Sequence, residues 1–131
     1  MDKEENINLD QLLIEEGKRM LKVLDSTDIK PSSALWFYLE EQKVWRLIIA
    51  SPYFNNLSAQ DRYRRLIGIF NQEAFTRLEV GSIVLLPADD PLISLLKIAV
   101  RTNPDSISEI SFKSNTVNGV FIYNSLIYRL S

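Results

Sequence analysis

The stretch "SALWFYLEEQKVWRLIIASPYF", Ser33 to Phe54, decides how this 131-residue chain folds. Its side chains alternate with period two: Ala34, Trp36 and Tyr38 point one way, while Leu35, Phe37 and Leu39 point the other. The charged "EEQK" between the two apolar runs is a tip, so the segment is a hairpin. If Leu39 faces Val44 across that tip, Tyr38 lies opposite Trp45 and Trp36 opposite Leu47. The second face then holds Leu35, Phe37, Leu39, Val44, Arg46 and Ile48. Both faces are apolar apart from Arg46, the pattern of strands covered on both sides. The run Trp36-Phe37-Tyr38 is therefore two half-clusters, one on each face, and core packing is the first role expected of it.

Working outward, the N-terminal side predicts a helix. Asn8 is placed to cap it with Gln11 three residues on, and Ile7 and Leu12 have the spacing of a hydrophobic staple. Leu9, Leu12, Leu13, Met20, Leu21 and Leu24 recur at helical spacing, with Glu15, Glu16, Lys18, Arg19 and Lys22 mostly opposite. This helix is expected to end near Asp25, and Pro31 marks the connector that follows.

On the C-terminal side, Ser58 with Asp61 opens a second helix carrying Tyr63, Leu66, Ile67, Phe70 and Ala74 on one stripe. Its other side shows Arg62, Arg64 and Arg65, with Asp61–Arg65 and Glu73–Arg77 spaced as helical ion pairs. "SIVLL" reads as a short strand. Asp90 with Pro91 then starts a third helix to about Val100, burying Leu92, Leu95, Leu96 and Ala99. "ISEISF" and the Asn118-Gly119 pair announce a hairpin; "VFIYNSLIYRL" after it is one bent strand or two short ones.

The order α-β-β-α-β-α-β-β gives a single α/β or α+β domain spanning 1-131, a mixed sheet of about five strands with three helices. Its two strand-helix-strand crossovers are expected to make neighbouring strands parallel. No Pro/Gly/Ser-rich linker divides the chain, and no internal repeat is present.

Composition removes much chemistry. There is no Cys and no His, which rules out disulfides, thiolate nucleophiles, Ser-His-Asp arrangements and the usual zinc ligands. With 46% hydrophobic residues the chain can bury a core, and a net charge of −2 gives no global attraction to nucleic acid or an anionic membrane. "MDKEENINLD" lacks an apolar leader, and runs such as "LIIA" and "LISLL" are too short to cross a bilayer, so a cytoplasmic protein is expected. Gly17, Gly68, Gly81 and Gly119 lie too far apart for a phosphate-cradling loop, so no nucleotide and no cofactor is expected.

Three constellations stand out. Asp89 and Asp90, where a strand hands over to a helix, offer oxygen ligands for Mg²⁺, although a helix cap at Asp90, with Asp89 at the positive helix end and Pro91 in the first turn, explains the pattern completely. A nuclease pattern fails on spacing: Pro104-Asp105 is followed by Glu109 and Lys113 four apart, and Glu41-Gln42-Lys43 sits on a hairpin tip. Arg62, Arg64 and Arg65 can grip an anion, or form a solvated helix face. The preferred expectation is a non-catalytic binding or assembly module, self-associating as a homodimer through a sheet or helix face left uncovered. Trp36, Tyr38 and Trp45, or Phe37 and Arg46, are its candidate interface. The alternatives are a small metal-dependent hydrolase at Asp89 and Asp90, or nucleic-acid binding through the Arg62–Arg65 helix.

Overall fold

The computed structural model describes residues 9–131. The elements are α1 (Gln11–Asp25), β1 (Ser33–Leu39), β2 (Val44–Ser51), α2 (Ala59–Phe70), β3 (Ile83–Pro87), α3 (Pro91–Ala99), β4 (Ile110–Phe112), β5 (Asn115–Val117), β6 (Val120–Ile122) and β7 (Ser125–Leu130). Five strands form one mixed sheet in the order β3-β2-β1-β7-β4, and β5 and β6 form a separate hairpin. The chain is a single α+β domain.

The central hairpin has the expected register, with Leu39 opposite Val44, Tyr38 opposite Trp45 and Trp36 opposite Leu47. Each sheet face is covered by the chain's own elements. On one, Met20, Leu21 and Leu24 of α1 and Leu66 and Ile69 of α2 pack on Trp36, Leu47, Ile49, Ile83 and Leu85. On the other, Ile93 and Leu96 of α3 and Val117 and Ile122 of the β5–β6 hairpin pack on Leu35, Ile48, Ala50 and Ile127. The second cover was hidden in the sequence, because strands of three residues leave almost no alternation to read.

The first crossover, β2 through α2 to β3, makes parallel neighbours. The second does not: after α3 the chain crosses to the far edge, where β4 pairs antiparallel with β7, and β7 pairs antiparallel with β1. "VFIYNSLIYRL" is two strands, split at Tyr123 and Asn124. Asn118 and Gly119 turn between β5 and β6 with φ of 50° and 82°, the left-handed pair a tight hairpin turn needs.

The helix boundaries differ in instructive ways. Asp10 caps α1, its Oδ1 accepting from the Leu12 amide at 2.8 Å; Asn8 and Ile7 lie outside the described residues. Leu12 is exposed. Ser58 caps α2 as expected, its Oγ accepting from the Asp61 amide. That helix stops at Phe70, so Ala74, Glu73 and Arg77 lie beyond it, and Ile69 rather than Ile67 is buried. In α3 the buried positions are Ile93 and Leu96; Leu92 and Leu95 are half-buried and Ala99 is exposed.

Glu16 departs furthest from expectation, since helical spacing put it on the solvent side. It is buried, and its carboxylate accepts from the amides of Thr76 (2.9 Å), Arg77 (2.8 Å) and Leu78 (2.7 Å) and from the Thr76 hydroxyl (3.0 Å). It thereby fastens the 71–79 loop to α1. Burial alone would raise its pKa, but the backbone donors and the hydroxyl outweigh it and bring the carboxyl down from 4.5 to about 2. A group with a depressed folded pKa contributes stability that is complete above about 4.5 and is lost as pH falls toward 2. Glu16→Gln replaces one acceptor oxygen by a donor facing an amide, and should lower stability by about 2 kcal/mol at pH 7. Urea titrations at pH 7, 4 and 3 check it: the variant should lose less stability on acidification than the wild type.

Candidate functional site

The residues that spacing singled out are mostly engaged within the chain. Trp36 is 1% exposed, and its Nε1 donates to the Tyr128 hydroxyl at 2.9 Å. Tyr38 is 3% exposed and packs against Trp45, ring centroids 5.2 Å apart. Trp36 and Tyr38 belong to the interior of the single chain, while Trp45 is half-buried. Phe37 and Arg46 are half-buried, and Phe37 packs against the core on the α3 side.

The three arginines of α2 diverge. Arg62 donates to the carbonyls of Leu57 (3.1 Å) and Leu85 (3.2 Å). Beside it the Tyr63 hydroxyl donates to the Ile83 carbonyl at 2.6 Å. Arg62 and Tyr63 thus occupy two carbonyls of the edge strand β3, which blunts that edge against pairing with another chain. Arg64 pairs with Asp61 at 2.6 Å, and Arg65 with Asp28 at 2.8 Å. The ion pairs expected within the helix are replaced: Asp61 takes Arg64 rather than Arg65, while Glu73 reaches Arg19 and Arg77 reaches Asp10. No common site is assembled from Arg62, Arg64 and Arg65.

Asp90 caps α3, its Oδ2 accepting from the Leu92 amide at 3.0 Å, and Asp89 is exposed. Among the described residues no group of three or more carboxylates is arranged to hold a metal ion. Glu109, which the nuclease pattern already missed by spacing, is paired to Lys18 of α1.

What the fold leaves on the outside is a surface that spacing did not reveal. The β5–β6 hairpin turns Val117 and Ile122 inward, and the opposite side carries Phe121. Phe121 is 53% exposed and Tyr123 38%, their rings meeting edge to face at 4.9 Å and 83°. Val120, next to Phe121 in sequence, is also exposed. Next to this pair lies an open groove of about 240 Å³, lined by Phe37, Tyr38, Leu39, Glu40, Glu41, Gln42 and Tyr123. Its floor is aromatic and aliphatic and its rim carries two exposed carboxylates; among the described residues neither Glu40 nor Glu41 forms an ion pair.

A second apolar concavity, on α2, is lined by Ala59, Gln60, Tyr63, Arg64 and Ile67. Its one charged group, Arg64, is held by Asp61. The hairpin surface could have been suspected from "VFIY", which follows an Asn-Gly turn with apolar residues in succession. Alternation there leaves open which of Val120, Phe121 and Ile122 faces out, because that depends on where α3 lies. No protein-family model, curated protein or solved structure matches this chain.

Proposed function

We propose that the protein is a non-catalytic binding module and that it docks another protein through the outer face of the β5–β6 hairpin. The observation that carries this reading is the exposed Phe121–Tyr123 pair, two large aromatic side chains that the chain's own core does not use. Aromatic residues at a protein surface beside a polar rim are the composition of interface anchors. The catalytic candidates give no comparable support, since Asp90 is taken up as a helix cap and the arginines of α2 are dispersed.

A second copy of the chain is the less favourable occupant. Both sheet faces, which with a helix face were the expected places for self-association, are covered from within. A twofold interface is built from the same patch on each subunit, so pairing hairpin to hairpin would also bring two copies of Glu40 and Glu41 into one interface. Like charges brought together disfavour that pairing.

The test is the double substitution Phe121→Ser with Tyr123→Ser. Because neither side chain is part of the core on either sheet face, the melting temperature should stay within about 2 °C of the wild type. Proximity labelling in the source cell, quantified against wild type, should lose its enriched protein partners by about tenfold. An unchanged labelled set would overturn the reading. A species of twice the chain mass in light scattering, lost in the double variant, would assign the surface to a second copy instead.

A further inference from the structure

The groove beside Tyr123 has a chemistry of its own. Phe37 and Tyr123 bring electron-rich rings to it, Leu39 adds an aliphatic wall, and Glu40 and Glu41 place two carboxylates at its mouth. Ring faces attract a cation through their quadrupole, and a carboxylate adds a charge-assisted hydrogen bond to a guanidinium or ammonium. At about 240 Å³ the groove is smaller than the roughly 300–1,000 Å³ of a pocket for a whole small molecule. It has room for one side chain. The carboxylates of the rim are not paired within the described chain: Lys43, on the same turn, forms no ion pair with either glutamate.

We propose that this groove is a socket for one arginine or lysine side chain of a partner protein, from a segment that also carries apolar residues to pack on Phe121. The inference rests on the docking role of the hairpin face and names what that face recognises. The cation enters between Tyr123 and the β1–β2 turn, its charge balanced by Glu40 and Glu41. Its apolar neighbours cover the Phe121–Tyr123 pair, which supplies area that a single ion pair at the surface lacks. Charge complementarity selects this occupant over a neutral apolar segment.

The probe is a capped pentapeptide, Ala-Leu-Arg-Leu-Ala, titrated into the full ¹⁵N-labelled chain, with the isosteric citrulline peptide as the uncharged control. The arginine peptide should shift the amides of residues 37–42 and 123 at millimolar concentration. Citrulline should bind at least about tenfold more weakly, as should the arginine peptide to the Glu40→Gln, Glu41→Gln variant. Arg64→Gln should leave the titration unchanged. Shifts elsewhere on the surface, equal binding of both peptides, or indifference to the glutamine pair would each overturn the socket, as would no binding at all. If the socket fails while the Phe121→Ser, Tyr123→Ser variant still loses its partners, the docking face stands and only its recognition of a cation is wrong. Growth of the chain's own mass with concentration, abolished by Arg64→Gln, would instead identify α2 of a second copy as the source of the cation.

Discussion

Gly17→Ala should destabilise the protein by about 3 kcal/mol, although glycine to alanine within a helix ordinarily stabilises it by about 1 kcal/mol. The reversal comes from how closely α1 approaches the sheet. A Cβ at position 17 would stand 2.6 Å from the Tyr128 hydroxyl and 2.7 Å from Trp36 Nε1. Both atoms belong to one buried relay, in which Trp36 Nε1 donates to Tyr128 at 2.9 Å and Tyr128 donates to the Ile14 carbonyl at 2.5 Å. Burial keeps the tyrosine protonated, its pKa raised well above the usual range. Neither ring can step aside, because Trp36 and Tyr128 are fully buried. The new methyl must displace the helix or break the relay; overpacking costs about 1–3 kcal/mol, and a buried donor left unmade about 1–3 more. Urea unfolding followed by Trp fluorescence measures the loss. A Gly17→Ala variant as stable as wild type would show that α1 does not seat on the relay at this distance, and Tyr128→Phe, which removes one clashing atom, should recover part of the loss in combination.

Asp25→Ala should cost a similar amount, about 3 kcal/mol, for an electrostatic reason. Arg129 is 2% exposed and forms a bidentate pair with Asp25, at 2.8 and 2.9 Å. Its remaining contacts are neutral: Nε donates to the Ser106 carbonyl and Nη1 to the Pro31 carbonyl, both at 2.9 Å. Removing the carboxylate leaves a buried guanidinium with hydrogen bonds but no counter-charge, a loss of about 3–5 kcal/mol in buried pairs. The side chain of Asp25 is about a third exposed, so water compensates in part and the lower end is expected. Asp25→Asn, which keeps an acceptor, should lose less. Amide exchange gives a local readout: the Thr102 and Ser108 amides, which donate to the carbonyls of Leu130 and Tyr128, should lose protection with the C-terminal strand. Full protection there in Asp25→Ala would show that the pair is dispensable.

The two predictions share one structural cause, a bulge in β7. Ala34 faces Arg129 and Leu35 faces Ile127, so Tyr128 is the extra residue. Strict alternation would send Tyr128 and Arg129 to opposite faces. The bulge lets both reach α1, one at the Ile14 carbonyl and the other at Asp25. "SLIYRL" contains no glycine or proline to announce the irregularity, and its value depends on Gly17 and Asp25, more than a hundred residues away in the chain.

The candidate site was legible to a lesser degree than the fold. Phe37, Glu40 and Glu41 were visible in the opening hairpin, but they become a groove only because Tyr123 arrives from the β5–β6 hairpin. Trp36 looked eligible for an interface until α1 and α2 were in place over it, and Tyr38 until it was buried beside Trp45. Arg62, Arg64 and Arg65 are adjacent in sequence, yet their partners come from Leu85, Asp61 and Asp28 and draw them apart.

By itself the sequence determined what is local: the β1–β2 register, the caps at Ser58 and Asp90, and the Asn118-Gly119 turn. Each of these is set by contacts within a few residues, where period and side-chain chemistry act directly on the backbone. Only the tertiary structure decided which faces stay open, where β4 pairs, and why Glu16 and Arg129 are buried. Those outcomes depend on charge and hydrogen-bond partners brought together from distant segments, since a carboxylate or guanidinium enters the interior only where the fold supplies its counterparts.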